Sequence, residues 1–312
     1  MNMNSDSDQI SVDYHSRIQK ERETFSEIFL EDLYKNITQK FRVSKESVNC
    51  FLDPENKSFE KFLCDLLPYS NRGSYSDFND IILGTIEFIA YHLVHHGFVI
   101  FELVKSKDFN DNVLYKLLDV NSLYLKVEED HIIQGISNED AVHLNISTPI
   151  KIPKKKCFII TFPTTLGGMT KYLDYIENFK LLAEQNPMIY LNHTNKSLTG
   201  KIGYDITQHQ RLHELEFWRY SKTFNWHHRT YSGKEFSDYY YIYRRLKFTQ
   251  SKIILRDYII DQLNIIVSEL SCRFGEKTSL NVEGIIQLSK IIEELEQWNS
   301  GELNIANDLG CF

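Results

Sequence analysis

The stretch SDFNDIILGTIEFIAYHLVHHGFVIFELVK, residues 76–105, contains the change of hydrophobic pattern that decides the fold. Residues 76–95 are nearly apolar all round, which is typical of a helix in the centre of a domain. Gly97 follows, and glycine is the residue most often found where a helix ends in left-handed backbone. Residues 98–105 (FVIFELVK) are rich in β-branched and aromatic side chains and predict a strand. The stretch therefore predicts a buried helix that leads directly into a sheet.

Further short, β-rich runs follow, separated by polar turns. They cover 113–120, 122–130, 131–137, 142–147 and 157–163. Parallel strands need crossovers of about a dozen residues or more, so spacing this tight favours antiparallel pairing. We therefore predict an antiparallel β-meander.

Helical patterns flank this β region on both sides. The first helix carries an apolar residue at every fourth position, at Phe25, Phe29, Leu33, Ile37 and Phe41. Further helices are predicted over 58–67, 170–184, 207–224, 235–273 and 282–299. The predicted fold class is α+β, with N-terminal helices, a central antiparallel β-meander and long C-terminal helices. Its four regions are a mobile arm (1–16), a helical N-terminal region (17–97), an antiparallel β region (98–163) and a helical C-terminal region (164–312).

The composition is that of an ordinary globular protein. Hydrophobic residues make up 42% of the 312 residues, and the formal net charge is −8, so any contact with nucleic acid must be local. The five scattered cysteines form no CxxC pair and indicate reduced thiols. No apolar run reaches the roughly 18 residues of a membrane span, and residues 1–23 lack the apolar core of a signal peptide. We expect a soluble, cytoplasmic protein with no membrane partner.

The sequence contains none of the common catalytic signatures, such as GxxxxGK[ST], GxGxxG or GxSxG. His209 and His213 are four residues apart and would share one helix face, with His227 and His228 close by in sequence. Surface histidines on a polar helix explain the pair better, because no cysteine or aspartate completes a ligand set. The Glu55-x-Lys57 pair matches part of a metal-dependent nuclease motif, but DPENK is typical of a turn. We therefore predict no catalytic residue, no metal and no cofactor.

The predicted long helix, 235–273, is where basic and aromatic residues gather. Arg244, Arg245, Lys247 and Lys252 follow a run of tyrosines, and this mixture is typical of surfaces that bind nucleic acid. The alternative is an amphipathic helix whose cations are solvated or paired. A helix of this length needs packing partners along its whole length, and the final helix can cover only part of it. We therefore expect the remainder to contact another subunit or partner, with the four cations on its polar side.

The order of these elements resembles the core of tailed-phage portal proteins, over about residues 80–310. In that family a helix meets a strand with the pattern yG-x-a-φ-x-E, and a hairpin carries L-x-x-φ-x-p. Gly97, Glu102, Leu117 and Val120 stand at the matching places in GFVIFEL and VLYKLLDVNSLYLKV. IPKKKCFIITFPTTLGGMTKYLDYI is similar to the portal strand that leads through a glycine-containing loop into a helix.

The C-terminal part adds two weaker similarities, in RDYIIDQLNIIVSEL and LEQWNSGELNIANDLG. The chain departs from the family at the hairpin proline, where Val120-Asn121 stands, and near the end, where Asn307-Asp308 replaces an arginine. It is also short for a portal and shows no obvious clip domain.

The resemblance implies a homo-oligomeric ring through which DNA passes during packaging, in the host cytoplasm or the virion, with a packaging ATPase on one face and head and tail proteins as partners. In such a ring Arg244, Arg245, Lys247 and Lys252 would be the first side chains to approach DNA phosphates. A portal does no chemistry, and an acidic charge suits a channel in which DNA slides. Two other classes stay open. One is a metal-assisted nuclease or hydrolase that uses the histidine-rich segment 209–228, and the other is a host defence or regulatory interaction module.

Overall fold

The computed structural model describes residues 11–13, 25–38, 48–68, 77–107, 113–120, 124–135, 149–184, 217–226, 238–275 and 277–302. Within them the helices are α1 (Phe25–Tyr34), α2 (Lys57–Leu66), α3 (Phe78–His96), α4 (Gly168–Glu184), α5 (Asp238–Arg273) and α6 (Leu288–Ser300). The strands are β1 (Ser11–Asp13), β2 (Asn49–Asp53), β3 (Phe98–Lys107), β4 (Val113–Asp119), β5 (Tyr124–Val127), β6 (His131–Gly135), β7 (Ile150–Pro153), β8 (Cys157–Thr161) and β9 (Ser279–Glu283). Helices combined with antiparallel strands confirm the predicted α+β class.

The described strands form three antiparallel sheets. Their strand orders are β1-β5-β6-β7, β2-β9 and β4-β3-β8. The hairpins β3-β4 and β5-β6 pair consecutive strands, as the short spacing predicts. The predicted strand at 142–147 lies outside the described residues.

The chain divides into two compact units. Unit 1 contains residues 1–22, 48–161 and 259–283, and unit 2 contains residues 23–47, 162–258 and 284–312. Helix α5 contributes its first part to unit 2 and its last part to unit 1.

Helix α3 is the buried helix of unit 1, as predicted. The Asp77 side chain accepts a hydrogen bond from the Asn79 backbone N–H at the N-terminus. At the other end Gly97 has a φ of 78°, a backbone conformation that costs glycine nothing. The apolar side chains between these ends are buried, including Ile82, Ile86 and Ile89. No described helix is long and apolar enough to cross a membrane.

The three-stranded sheet of unit 1 packs against α3 through one of its faces. The Phe88 and Phe101 rings lie 6.2 Å apart across this interface. Phe101 pairs with Phe158 of β8, and both side chains are buried. The register places Glu102 opposite Leu118 on one side and Cys157 on the other, on the second face of the sheet.

Two strand pairs join segments that the sequence analysis kept apart. β2 pairs with β9 in full register, from Asn49 opposite Glu283 to Asp53 opposite Ser279. Residues 49–53 therefore form a strand inside the region predicted as helical, and the final helix begins at Leu288, after β9, instead of at 282. Ser11–Asp13, inside the predicted mobile arm, pairs with β5.

The core of unit 2 is aromatic and surrounds Phe29 of α1. The Phe29 ring lies 5.2–5.7 Å from the rings of Tyr175, Phe179, Phe224 and Trp226. α1 ends at Tyr34, so the predicted helix stops earlier than Phe41. The Trp226 indole N–H donates to the Asp32 carboxylate at 3.0 Å, which satisfies the one polar atom of this side chain.

Helix α5 is buried on two faces within unit 2. Ile242, Leu246 and Ile253 pack against α6, through Ile291, Leu295 and Trp298. A second buried row contains Arg244, Phe248, Ser251 and Leu255. The last part of α5 is also buried, in unit 1, at Ile259, Leu263, Ile266 and Leu270. α6 covers only part of α5, as predicted, and other parts of this chain bury much of the remainder, although Ile265 is 54% exposed. The expected contact with another subunit or partner along α5 stays a prediction.

Candidate nucleic-acid interface

Arg244 is the first of the four cations that the sequence analysis assigned to DNA, and it lies in the interior of unit 2. Its side chain is 1% exposed. Its expected position on the polar side of the helix is therefore wrong. The reason is that α5 is buried on two faces, so the row opposite α6 faces the protein core and not solvent.

The Arg244 guanidinium connects α5 to residues 217–226, whose first five residues are helical. Its Nη2 donates to Ser221 Oγ at 2.8 Å and to the Trp226 backbone oxygen at 2.7 Å. Nε donates to the Asn225 backbone oxygen at 3.4 Å. The guanidinium carbon also lies 4.9 Å from the centroid of the Trp218 ring, within cation–π distance. These contacts make Arg244 a structural group that holds a turn.

Burial leaves two polar atoms near Arg244 without a partner. Arg244 Nη1 and the Tyr175 hydroxyl form no hydrogen bond in the described structure. Burial lowers the pKa of Arg244, and Tyr240 and Tyr175 act in the opposite direction. The pKa of Tyr175 lies well above its usual value, because burial raises it by more than the Arg244 charge lowers it. The cation is therefore held mainly by neutral acceptors and aromatic rings.

Lys252 has a different structural role. Its Nζ donates to the Lys35 backbone oxygen at 2.8 Å, one residue beyond the end of α1. An ammonium group there satisfies a carbonyl that the helix leaves open and interacts favourably with the helix dipole. Burial lowers the pKa of Lys252 to about 8, and the Asp32 carboxylate acts in the opposite direction.

Arg245 and Lys247 differ from Arg244 because they are not enclosed by the core of unit 2. Both side chains are half-buried, and Lys247 Nζ donates to Gln250 Oε1 at 3.2 Å. The four cations therefore do not form one surface. Arg244 and Lys252 each hold parts of unit 2 together through backbone oxygens.

The predicted metal candidates cannot be placed. His209, His213, His227 and His228 lie outside the described residues. Among the side chains that are described, no group of three or more histidines, cysteines or carboxylates is arranged to hold a metal ion. Glu55 lies in the exposed turn after β2 and Lys57 is the first residue of α2, with their charged atoms 3.7 Å apart. This position fits the turn interpretation.

Strand β4 presents an apolar surface that the sequence analysis did not single out. It is the edge strand of its sheet among the described strands. Leu114 and Leu118 are 38% and 42% exposed, and both lie on the face that carries Glu102. Alternation along a β-rich run could have identified this face, but not its exposure.

Comparisons with models of known protein families, with curated proteins and with solved structures found no match.

Proposed function

We propose that this chain is the subunit of a portal-like ring through which DNA passes. One observation carries the proposal, namely the order of elements from α3 to α4. A buried helix leads through Gly97 into the β3-β4 hairpin, a second sheet follows, and β8 then leads through a glycine turn into α4. This is the order in the family that the sequence resembles.

The residues that carry the resemblance have consistent structural roles. Gly97 ends α3 in left-handed backbone, and Leu117 is buried opposite Leu103 in the β3-β4 hairpin. The Val120 N–H donates to the Ile100 backbone oxygen at 2.9 Å. This hydrogen bond extends the β3-β4 pairing one residue beyond its last pair, Phe101 opposite Asp119. These motif positions belong to one local arrangement, which supports a fold-level relationship.

The second segment that resembles the portal family, from β7 to α4, also has a defined local structure. β7 ends at Pro153, three residues of 3-10 helix follow, and β8 begins at Cys157. Gly167 and Gly168 both have positive φ, of 105° and 75°, immediately before and at the start of α4. Such backbone favours glycine, so the glycine loop of the motif has a physical reason in this fold.

The exposed face of β4 supports self-association, and we assign it to contact with a second copy of the chain. An open strand edge offers unpaired backbone groups, and proteins usually protect such edges. Leu114 and Leu118 leave this one apolar instead. A ring needs a contact between unlike surfaces of neighbouring subunits, and this face would supply one of the two.

Fewer than the four cations predicted from the sequence can contact DNA phosphates. Arg244 is excluded as a phosphate contact by its burial, and Lys252 donates to the Lys35 backbone oxygen. We assign phosphate contact to the half-buried Lys247 and Arg245. A net charge of −8 suits a channel that lets DNA slide. A packaging ATPase would dock on one face of the ring.

The test is the oligomeric state of the purified chain, by size-exclusion chromatography with light scattering and by electron microscopy. We expect closed rings, and we expect Leu114→Asp/Leu118→Asp to dissociate them. The control is Ile292→Asp, at a residue of similar exposure on α6. A chain that stays monomeric at every concentration contradicts the proposal. The hydrolase alternative depends on His209 and His213 and is tested by metal binding and nuclease assays on His209→Ala/His213→Ala.

A further inference from the structure

Three aromatic side chains from separate parts of unit 1 meet near its surface. They are Phe62 of α2, Tyr115 of β4 and Phe274, the residue after α5. The ring centroids of Phe62 and Phe274 are 4.6 Å apart, those of Tyr115 and Phe274 5.1 Å, and those of Phe62 and Tyr115 6.3 Å. We refer to these three rings as the aromatic cluster.

The aromatic cluster is not part of the closed core. Phe274 is 39% exposed, and Phe62 and Tyr115 are half-buried. Phe274 is held in place by the end of its helix, where its N–H donates to the Leu270 and Ser271 oxygens. Gly275 follows with a φ of 80°, and among the described residues no atom beyond its chain neighbours lies within 4 Å of the place where its Cβ would be. The Phe274 ring is therefore fixed by its helix end while part of it stays exposed.

Cations accompany the rings. Lys105 is the cross-strand partner of Tyr115, and its Nζ lies 5.8 Å from the centroid of the Tyr115 ring. Arg273 precedes Phe274 and forms an ion pair with Glu269. Lys61 precedes Phe62, with Asp65 one turn further along α2. Lys105, Lys61 and Arg273 are all exposed.

We propose that the aromatic cluster, together with Lys105 and Arg273, binds single-stranded nucleic acid. Exposed rings stack on unpaired bases, and neighbouring cations neutralise phosphates, without need for a base sequence. A duplex hides its base faces, so it would gain only the phosphate contacts. An apolar peptide would gain nothing from the cations. In a chain of net charge −8, such a surface has to be local, and this one combines residues from α2, β3, β4 and the end of α5.

This inference does not depend on the proposal that the chain forms a portal-like ring of subunits. The cluster lies on the face of β4 that carries Tyr115 and Leu117, whereas Leu114 and Leu118 point to the opposite face. Substitutions can therefore affect one surface and leave the other unchanged.

The test is fluorescence anisotropy of the full chain with labelled oligo(dT) of about 15 nucleotides, near the upper end of known single-strand sites. The same strand annealed to oligo(dA) is the duplex comparison. Phe274→Leu keeps an apolar side chain but removes the flat ring, and we expect it to raise the Kd about 5- to 150-fold, the range for loss of one base stack. Phe274→Trp should retain binding, which a merely structural role for the ring does not require.

Charge is tested separately with Lys105→Gln. We expect weaker binding and a slope of log Kd against log salt that is smaller by about 0.7, the value for one phosphate contact to a single strand. Ile265→Ala, at an exposed apolar residue of α5, and Lys290→Gln, at an exposed lysine of α6, are the matched controls and should bind as wild type does. Circular dichroism confirms that each variant is folded.

Three results would overturn the inference. The first is no binding of the single strand at about 50 mM salt, where phosphate contacts are strong. The second is unchanged binding by both Phe274→Leu and Lys105→Gln. The third is a duplex that binds as tightly as the single strand.

Discussion

Arg244 Nη2 donates a hydrogen bond of 2.7 Å to the backbone oxygen of Trp226, eighteen residues earlier in the chain. The same nitrogen reaches Ser221 Oγ, so one buried guanidinium holds both ends of a short turn. This turn contains Phe224 and Trp226, which pack around Phe29. An arginine that the sequence pattern assigned to DNA is thus a central structural residue of unit 2.

The first prediction follows from the acceptors that Arg244 satisfies. Arg244→Met keeps much of the side-chain volume but leaves the Trp226 oxygen and Ser221 Oγ without their donor. We expect the free energy of unfolding to fall by about 2–4 kcal/mol, since hydrogen bonds to charged groups are worth about 1.5–3 kcal/mol each. Urea denaturation measures the change.

The neighbouring residue provides the control. Arg245→Met changes a half-buried side chain on the same turn of α5, and we expect a loss of no more than about 1 kcal/mol. Equal losses for the two variants would mean that the Arg244 contacts contribute little to stability.

Some parts of the fold could be predicted from the sequence and others could not, for a physical reason. The buried helix α3, its end at Gly97 and the β3-β4 hairpin depend on contacts between near neighbours, so hydrophobic period and turn chemistry indicate them. The pairing of β2 with β9 joins Asp53 to Ser279, and no local pattern records a partner so distant.

The candidate sites show the same limit. The pattern around Arg244 indicates a helix with cations, but only the fold reveals that α5 is buried on two faces. Phe62, Tyr115 and Phe274 are far apart in sequence, and each alone is an ordinary apolar residue of its element. Their contact is a property of tertiary structure. The position of Phe274 directly before Gly275, where the long helix pattern closes, is the one local signal that could have indicated it.

The second prediction concerns the buried helix. Ile89 is completely buried in α3, and Ile89→Asp places a carboxyl group where the described structure offers mainly apolar neighbours. We expect a loss of about 3–5 kcal/mol, the usual cost of a buried group without a partner. Tyr91→Asp, two residues later on the exposed side of α3, should cost about 1 kcal/mol or less. Thermal unfolding followed by circular dichroism distinguishes the two, and wild-type stability of Ile89→Asp would contradict the placement of α3.

The third prediction concerns Lys252 and pH. Burial lowers the pKa of this lysine to about 8 in the folded chain, whereas an unfolded lysine titrates near about 10.4. Below pH 8 both states are protonated, and the folded state bears the full cost of the buried charge. Between about pH 8 and 10 the folded state has lost the proton and the unfolded state has kept it. Stability from this group therefore rises with pH across that window.

Lys252→Met isolates this contribution. The free energy of unfolding of wild type minus that of Lys252→Met should increase by about 2 kcal/mol between pH 7 and pH 9.5, from a pKa difference of about 2.4 units. Taking the difference matters because other groups titrate in the same range. Burial raises the pKa of the Cys50 thiol to about 12, so that thiol lowers stability as pH rises, but it does so equally in both proteins. Lys252→Met also removes the hydrogen bond to the Lys35 backbone oxygen. This loss changes the difference in the free energy of unfolding by the same amount at every pH at which Nζ can donate. Urea denaturation at several pH values gives the difference directly, and a difference that stays constant from pH 7 to 9.5 would show that Nζ is solvated in the folded chain.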